Sequence, residues 1–140
     1  MKNEIIRELG GFVARHRYAR ISSRKARLIA DAIRGRHVNE ALEILELMPQ
    51  RGAAFFKKVL LSAIDNASQD EDVEINDLFV ADARADDGPM LNNRLRYRPG
   101  PQGRAMPYAK KTAHLTVIVV TDGVTPSAEM ATDQEAAAEA

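Results

Sequence analysis

Residues 92–105 read NNRLRYRPGPQGRA: four arginines, one tyrosine, no acid, and no Val, Ile or Phe. How this stretch is read decides the fold. It lies within residues 86–112, where Val, Ile and Phe are absent and Gly88, Pro89, Pro99, Gly100, Pro101, Gly103 and Pro107 recur. Segments that read as strands stand on both sides. Structureless loops beyond about 12–15 residues are uncommon inside compact domains. Either the interval is a loose linker, or the flanking strands continue outward as a β-ribbon that leaves the domain. A ribbon rises about 3.3 Å per residue, and a lone hairpin is marginal in water, so a long arm needs a partner along its length. Arg94, Arg96, Arg98, Arg104, Lys110 and Lys111, with no acid between them, favour a polyanion. Guanidinium forks grip phosphate bidentately. Tyr97 or Tyr108 would stack on an unpaired base.

The segments around this interval supply the domain. Residues 14–21, ARHRYARI, are basic and extended in character. Ser22 or Ser23 then suits a helix N-cap. Ala26, Ile29, Ala30 and Ile33 fall at i, i+3, i+4 and i+7, one apolar helical face. Arg24, Arg27 and Arg34 share another stripe, and Gly35 is the expected stop. A second helix is expected after Asn39 as cap, with Val38, Ala41, Leu42, Leu45 and Met48 inward and Glu40, Glu43 and Glu46 elsewhere, ended by Pro49 and Gly52. A third runs from about Ala53 to Ala67, burying Ala53, Phe56, Leu60, Ala63, Ile64 and Ala67.

From Leu78 the period changes to two. Phe79, Ala81, Ala83 and Ala85 are expected inward, alternating with Val80, Asp82, Arg84 and Asp86. The last strand, KTAHLTVIVVTD (111–122), is rich in β-branched residues. Ala113, Leu115, Val117 and Val119 share one face, while Ile118 and Val120 make the other apolar too, so this strand is expected at the centre of its sheet. The order strand, three helices, strand, long connection, strand predicts an α+β fold: three helices on a small antiparallel sheet, with a protruding β-hairpin over about 84–112. Residues 1–13 are expected as an extension of weak helical character. Residues 123–140 are acidic and low in complexity, which predicts disorder.

The 140-residue chain suits one domain, and 45% hydrophobic residues with 5% aromatics imply a mostly aliphatic core. There is no Cys, which excludes disulfides, thiolate metal sites and cysteine nucleophiles and fits a cytosolic setting. No apolar run approaches the ~18–20 residues of a membrane span, and residues 1–13 lack a signal-peptide core. The formal net charge is zero, but it is segregated. Residues 1–36 carry 10 bases and 3 acids, 37–88 carry 4 and 12, 89–115 carry 6 and none, and 116–140 carry none and 5. A partner feels the local field, screened beyond ~8–10 Å. The two basic blocks can therefore bind one anion together, against the alternative of two solvated basic faces.

Catalysis has little to stand on. His16, His37 and His114 fall on three different elements without metal-ligand spacing, and no metal or other cofactor is expected. Asp86 and Asp87 resemble a carboxylate pair, but neighbours on a strand point to opposite faces, so they read better as turn residues. Gly100 and Gly103 are not followed by the G-K-[ST] of a phosphate loop. A freestanding nucleic-acid or protein adaptor is the remaining alternative.

The segments ARHRYARISSRKARLIADAIRGRHVNEAL, FFKKVLLSAIDNA, DDGP and GRAMPYAKKTAHLTVIVVTD, in that order, resemble the family of protein twenty-two of the bacterial large ribosomal subunit, over about residues 13–122. The resemblance implies a structural, non-enzymatic constituent of the 50S subunit. It would bind 23S rRNA, support early assembly, and sit on the cytoplasmic ribosome beside neighbouring large-subunit proteins, with its globular domain near the polypeptide exit. The hairpin would line the tunnel and meet the nascent polypeptide, and no membrane or small-molecule substrate is implied. By position, the resemblance implies RNA contacts at Arg15, His16, Arg17, Arg20, Ser22, Arg24, Lys25 and Arg27, at Arg34, Lys57 and Lys58, and at Lys110, Lys111 and His114. Arg94, Arg96, Tyr97, Arg98 and Arg104 would contact RNA along the arm, and Met90, Leu91, Asn92, Asn93 and Arg94 would form its tip in the tunnel. Two features depart from the family pattern: Met90-Leu91-Asn92-Asn93 follows Gly88-Pro89 where bases are usual, and Pro99-Gly100-Pro101 lengthens the segment.

Overall fold

A computed structural model describes residues 11–70 and 73–121; most of the N-terminal extension and the acidic tail lie outside these residues. In chain order the elements are strand β1 (Gly11–Ala19), helices α1 (Ser23–Ile33), α2 (Val38–Leu47) and α3 (Arg51–Ala67), then strands β2 (Leu78–Met90), β3 (Arg96–Pro99), β4 (Ala105–Tyr108) and β5 (Lys111–Thr121). The fold is α+β, as predicted.

Each helix is positioned by its apolar face. Ala26, Ile29, Ala30 and Ile33 of α1 are fully buried, as the i, i+3, i+4, i+7 spacing requires. Val38, Ala41 and Leu45 of α2 join them, and α3 adds Ala53, Phe56, Val59, Leu60, Ala63, Ile64 and Ala67. Many of these side chains are alanines, which lets the helices approach the sheet closely. α1 lies mainly on β2, and α3 mainly on β1 and β5.

The helix boundaries differ from expectation for local reasons. Gly52 does not end α2; it is the second residue of α3. A Cβ there would stand 2.5 Å from Ile29 Cδ1 and 2.7 Å from Ile21 Cδ1, so glycine makes room for the α1–α3 contact. The α2 cap is His37 rather than Asn39: its Nδ1 accepts the Asn39 N–H at 3.4 Å, and its ring meets Phe79 edge-on at 5.1 Å. Gly35 ends α1 as expected, with φ +73° and its N–H donated to Val80 O at 2.8 Å.

The three-stranded sheet is antiparallel, in the order β1-β5-β2. β5 is central, as its two apolar faces predict, and Ala113, Leu115, Val117, Val119, Ile118 and Val120 are all buried. β2 departs from the simple alternation. Its register jumps between Val80↔Val119 and Asp82↔Ile118, leaving Ala81 as an extra residue. Leu78 and Val80 face the core before this bulge, and Ala83 and Ala85 after it. The expectation that Phe79 and Ala81 point inward is therefore corrected.

β2 and β5 stay paired out to Met90↔Lys111, beyond the core. Asp86 and Asp87 lie opposite His114 and Ala113 in this ladder, so they are strand residues, not turn residues. Gly88 is required here, because a Cβ would meet Thr112 Oγ1 at 2.5 Å and Thr112 backbone O at 3.0 Å. Past Leu91, whose N–H bonds Lys110 O at 2.8 Å, the ribbon jogs. Asn92 and Asn93 adopt φ 58° and 52°, the left-handed region that Asn tolerates. A second ribbon, β3 paired with β4 from Arg96↔Tyr108 to Pro99↔Ala105, then runs on. It closes at Pro101–Gly103, where Gln102 and Gly103 have φ 56° and 74°. The interval is thus a ribbon in two sections. Met90–Arg94 is the joint between them, and residues 100–104 are its turn, which corrects the expected position of the tip.

Candidate nucleic-acid interface

Where the arm leaves the domain, an open cleft of about 920 Å³ lies between the starts of α1 and α3 and the joint of the ribbon. Six cations line it: Arg20, Lys25, Arg51, Arg96, Lys110 and Lys111. No acid does. They come from four separate places in the chain, so the fold assembles what the sequence keeps apart. Ser22 and Lys25 stand at the start of α1, and Gln50, Arg51 and Gly52 at the start of α3. Neither helix has an acid in its first turn. The partial positive charge of both N-termini therefore adds to the field of the side chains. Its apolar lining is Ile21, Leu28, Ile29 and Leu91. A cleft this open, cationic and acid-free suits a phosphate backbone better than a small substrate.

One latch holds the arm at this angle. The hydroxyl of Ser23, a buried residue, donates to Asp87 Oδ1. Arg27 Nε donates to Ala85 O at 3.1 Å, and its guanidinium lies 3.7 Å from Asp87 Oδ2. The Ser23 hydrogen bond, with smaller help from Arg27 and Lys111 against a burial effect, holds the Asp87 carboxyl below its ordinary range. A carboxylate in β2 is thereby tied to the first turn of α1. At the outer edge of the arm base, the Thr112 hydroxyl donates to Pro89 O at 2.6 Å.

The structure sorts the expected contact residues into three groups. Arg20, Ser22, Lys25, Arg96, Lys110 and Lys111 line the cleft. A second group is engaged within the protein. Arg27 belongs to the latch. Arg34 reaches Asp31 at 2.8 Å, Asp82 at 3.4 Å and Ala83 O at 2.6 Å, clamping α1 to β2. Lys57 pairs with Glu46, whose carboxyl this hydrogen bond and charge lower. His16 stacks on Phe55, ring centroids 5.9 Å apart. The third group is exposed elsewhere: Arg15, Arg17, Arg24 and Lys58 on the domain, Arg94, Tyr97 and Arg104 on the arm. Arg98 lies over the Tyr108 ring at 4.4 Å, a cation–π contact across the distal ribbon.

Sequence reasoning missed Arg51. Its signal was a cation at a helix start, where the dipole disfavours one. It also missed Tyr18, which sits at a bulge in β1 with φ 59° against His114 of β5. Among the described residues no group of three or more His, Cys, Asp or Glu is placed to hold a metal ion. No described helix is long and apolar enough to cross a membrane. The comparison with known families now has a geometry to explain: the family model described as ribosomal protein L22p/L17e matches residues 14–120.

Proposed function

The chain belongs to the ribosomal protein L22p/L17e family, a structural component of the large ribosomal subunit, and from that premise we propose that its basic cleft and arm bind 23S rRNA. The observation that carries the proposal is the cleft itself. Six cations from four places in the chain converge on it with no acid among its described lining residues, although acids equal bases in the chain as a whole. When such cations neutralise phosphates, they release the counterions condensed on the nucleic acid, which makes affinity large and salt-dependent.

The arm extends the same reading. No residue of β3 or β4 is buried, and a two-stranded ribbon gains little stability alone. RNA packed along Arg94, Arg98 and Arg104 supplies the missing environment. Bridging the cleft and the arm would join RNA segments that are distant in sequence, which is how the protein supports early assembly. The turn at Pro101–Gly103 is the part furthest along the chain from the domain. With Tyr97 and Met106 exposed beside it, it meets the nascent polypeptide in the exit tunnel. The joint Met90–Arg94 then lines the route inward. The α2 surface, with Glu40, Glu43 and Glu46, faces away from phosphate and suits solvent or neighbouring ribosomal proteins. The site of action is the ribosome in the cytoplasm.

Sedimentation tests the assignment. Tagged full-length chain should migrate with large subunits and stay there through a low-salt wash. Recovery in the soluble fraction of cells with intact ribosomes would refute it.

A further inference from the structure

Tyr18 costs the fold something that burial does not return. Its backbone is left-handed, φ 59°, a region that bulky residues rarely adopt. The residue is nonetheless 59% exposed, so no core packing explains the conformation. The register of β1 against β5 breaks between His16 and Ala19, and Tyr18 is the residue the break turns outward. There it meets His114, which lies on the sheet face opposite the helices, since its neighbours Ala113 and Leu115 face the core. The rings are 4.8 Å apart and steeply inclined, at 83°. The Tyr18 N–H donates to His114 Nδ1 at 3.1 Å. The ring proton of a neutral His114 therefore sits on Nε2. Neither that N–H nor the Tyr18 hydroxyl has a partner among the described residues. Arg17 and Arg20, both exposed, flank Tyr18 in the chain.

Backbone strain held in place at an exposed aromatic is the pattern of a contact site rather than of a packing site. We propose that Tyr18 and His114 form a base-stacking step: an unpaired RNA base lies on the exposed Tyr18 ring while flanking cations hold its phosphates. The strained bulge aims the ring, and the hydrogen bond to His114 fixes it. This rests on the RNA-binding reading above and adds a recognition element to it, one for single-stranded rather than duplex RNA.

The test uses the full chain and two probes, a short single-stranded RNA carrying 2-aminopurine and a blunt RNA duplex with as many phosphates. Tyr18→Gly removes the ring at a position where glycine adopts the backbone without strain. Tyr18→Asn, also tolerant of this conformation, repeats the test should the glycine variant fold poorly, and Tyr18→Phe keeps the ring. Stacking on one side chain contributes enough that its loss weakens single-strand binding roughly tenfold. The expected result is that loss for Y18G and Y18N, an unchanged salt slope, unchanged duplex binding, and a melting temperature equal to or above the parent. Y18F should quench 2-aminopurine as the parent does. Parent-like single-strand binding by Y18G and Y18N, or equal losses on both probes, overturns the stacking step while leaving RNA binding in place. A parent protein that binds neither probe overturns the RNA-binding reading and this inference with it.

Discussion

Neutralising half of the cleft gives a prediction whose size follows from the structure. The cleft holds six cations, Arg20, Lys25, Arg51, Arg96, Lys110 and Lys111. If each neutralises one phosphate of a duplex region, the slope of log K against log salt is about −0.9 per phosphate, or about −5 in all. Binding should then weaken roughly 10³-fold between 50 and 200 mM salt. The triple variant Arg20→Gln, Lys25→Gln, Lys111→Gln leaves three cations and a slope of about −2.7, so the same salt change costs only about 40-fold. Glutamine is shorter but keeps an unbranched polar side chain, and all three residues are exposed, so the fold should survive. The assay is equilibrium binding of the protein to a large-subunit RNA transcript at several salt concentrations. A paired control neutralises Arg34 and Lys57, whose charges are taken up by Asp31, Asp82 and Glu46; its slope should match the parent. Equal slopes for the triple variant and the parent would refute the assignment of the cleft to phosphate. A flattened slope in the control would refute the claim that internal ion pairs remove cations from the interface.

Three further outcomes test the arm. Replacing residues 92–109 by Asn-Gly, a two-residue hairpin turn, joins Leu91 to Lys110 where their backbones already bond; the domain should still melt cooperatively near the parent temperature, because no residue of β3 or β4 is buried, and a lost transition would refute this. Gly88→Ala drives a Cβ to 3.0 Å from the Thr112 carbonyl oxygen, an overpacking cost of about 1–3 kcal/mol in denaturant unfolding, and an unchanged midpoint would show that the ribbon yields freely. Asp87 titrates below the ordinary carboxylate range in the folded protein, so its latch is fully present above the unfolded value and is lost as pH falls through the lower folded one. Acid melting curves should therefore show a component that Asp87→Asn abolishes, and identical curves for the two proteins would remove the latch.

The readable parts of this fold were those set by local periodicity. The α1 face at Ala26, Ile29, Ala30 and Ile33 and the two-sided hydrophobicity of β5 needed no knowledge of partners. The illegible parts depend on residues distant in the chain. Ala81 becomes a bulge only because β5 offers one residue against two of β2. Ser23 reads as a cap until Asp87, 64 residues on, takes its hydroxyl. Arg34 reads as a surface cation until β2 brings Asp82 and the Ala83 carbonyl beside it. The resemblance implies a tip at Met90–Arg94; there the two left-handed asparagines make a joint instead, and the ribbon resumes at Arg96.

Part of the acidity in residues 37–88 is paired with particular cations: Glu40 with Arg36, Glu46 with Lys57, Asp82 with Arg34 and Arg84, Asp87 with Arg27. Exposed pairs of this kind add little stability, about 0–1 kcal/mol each, so their effect is better sought in where they leave the field. The bases so held are Arg27 on α1, Arg34 and Arg36 just after it, Lys57 on α3 and Arg84 on β2, none of them a lining residue of the cleft. The bases that line the cleft come instead from β1–α1, the start of α3 and the arm, and no described acid lines it with them. A uniformly basic surface would hold RNA in many registers. Concentrating bases in the proposed cleft would favour phosphate there, and the Ser23–Asp87 latch sets the direction in which the arm leaves it. Asp87→Asn should therefore disturb where the arm binds more than how tightly the cleft binds. Hydroxyl-radical footprints on the RNA transcript separate the two: protections from the cleft should persist while those from residues 94–104 weaken, and uniform loss of both would show that the latch serves only the fold.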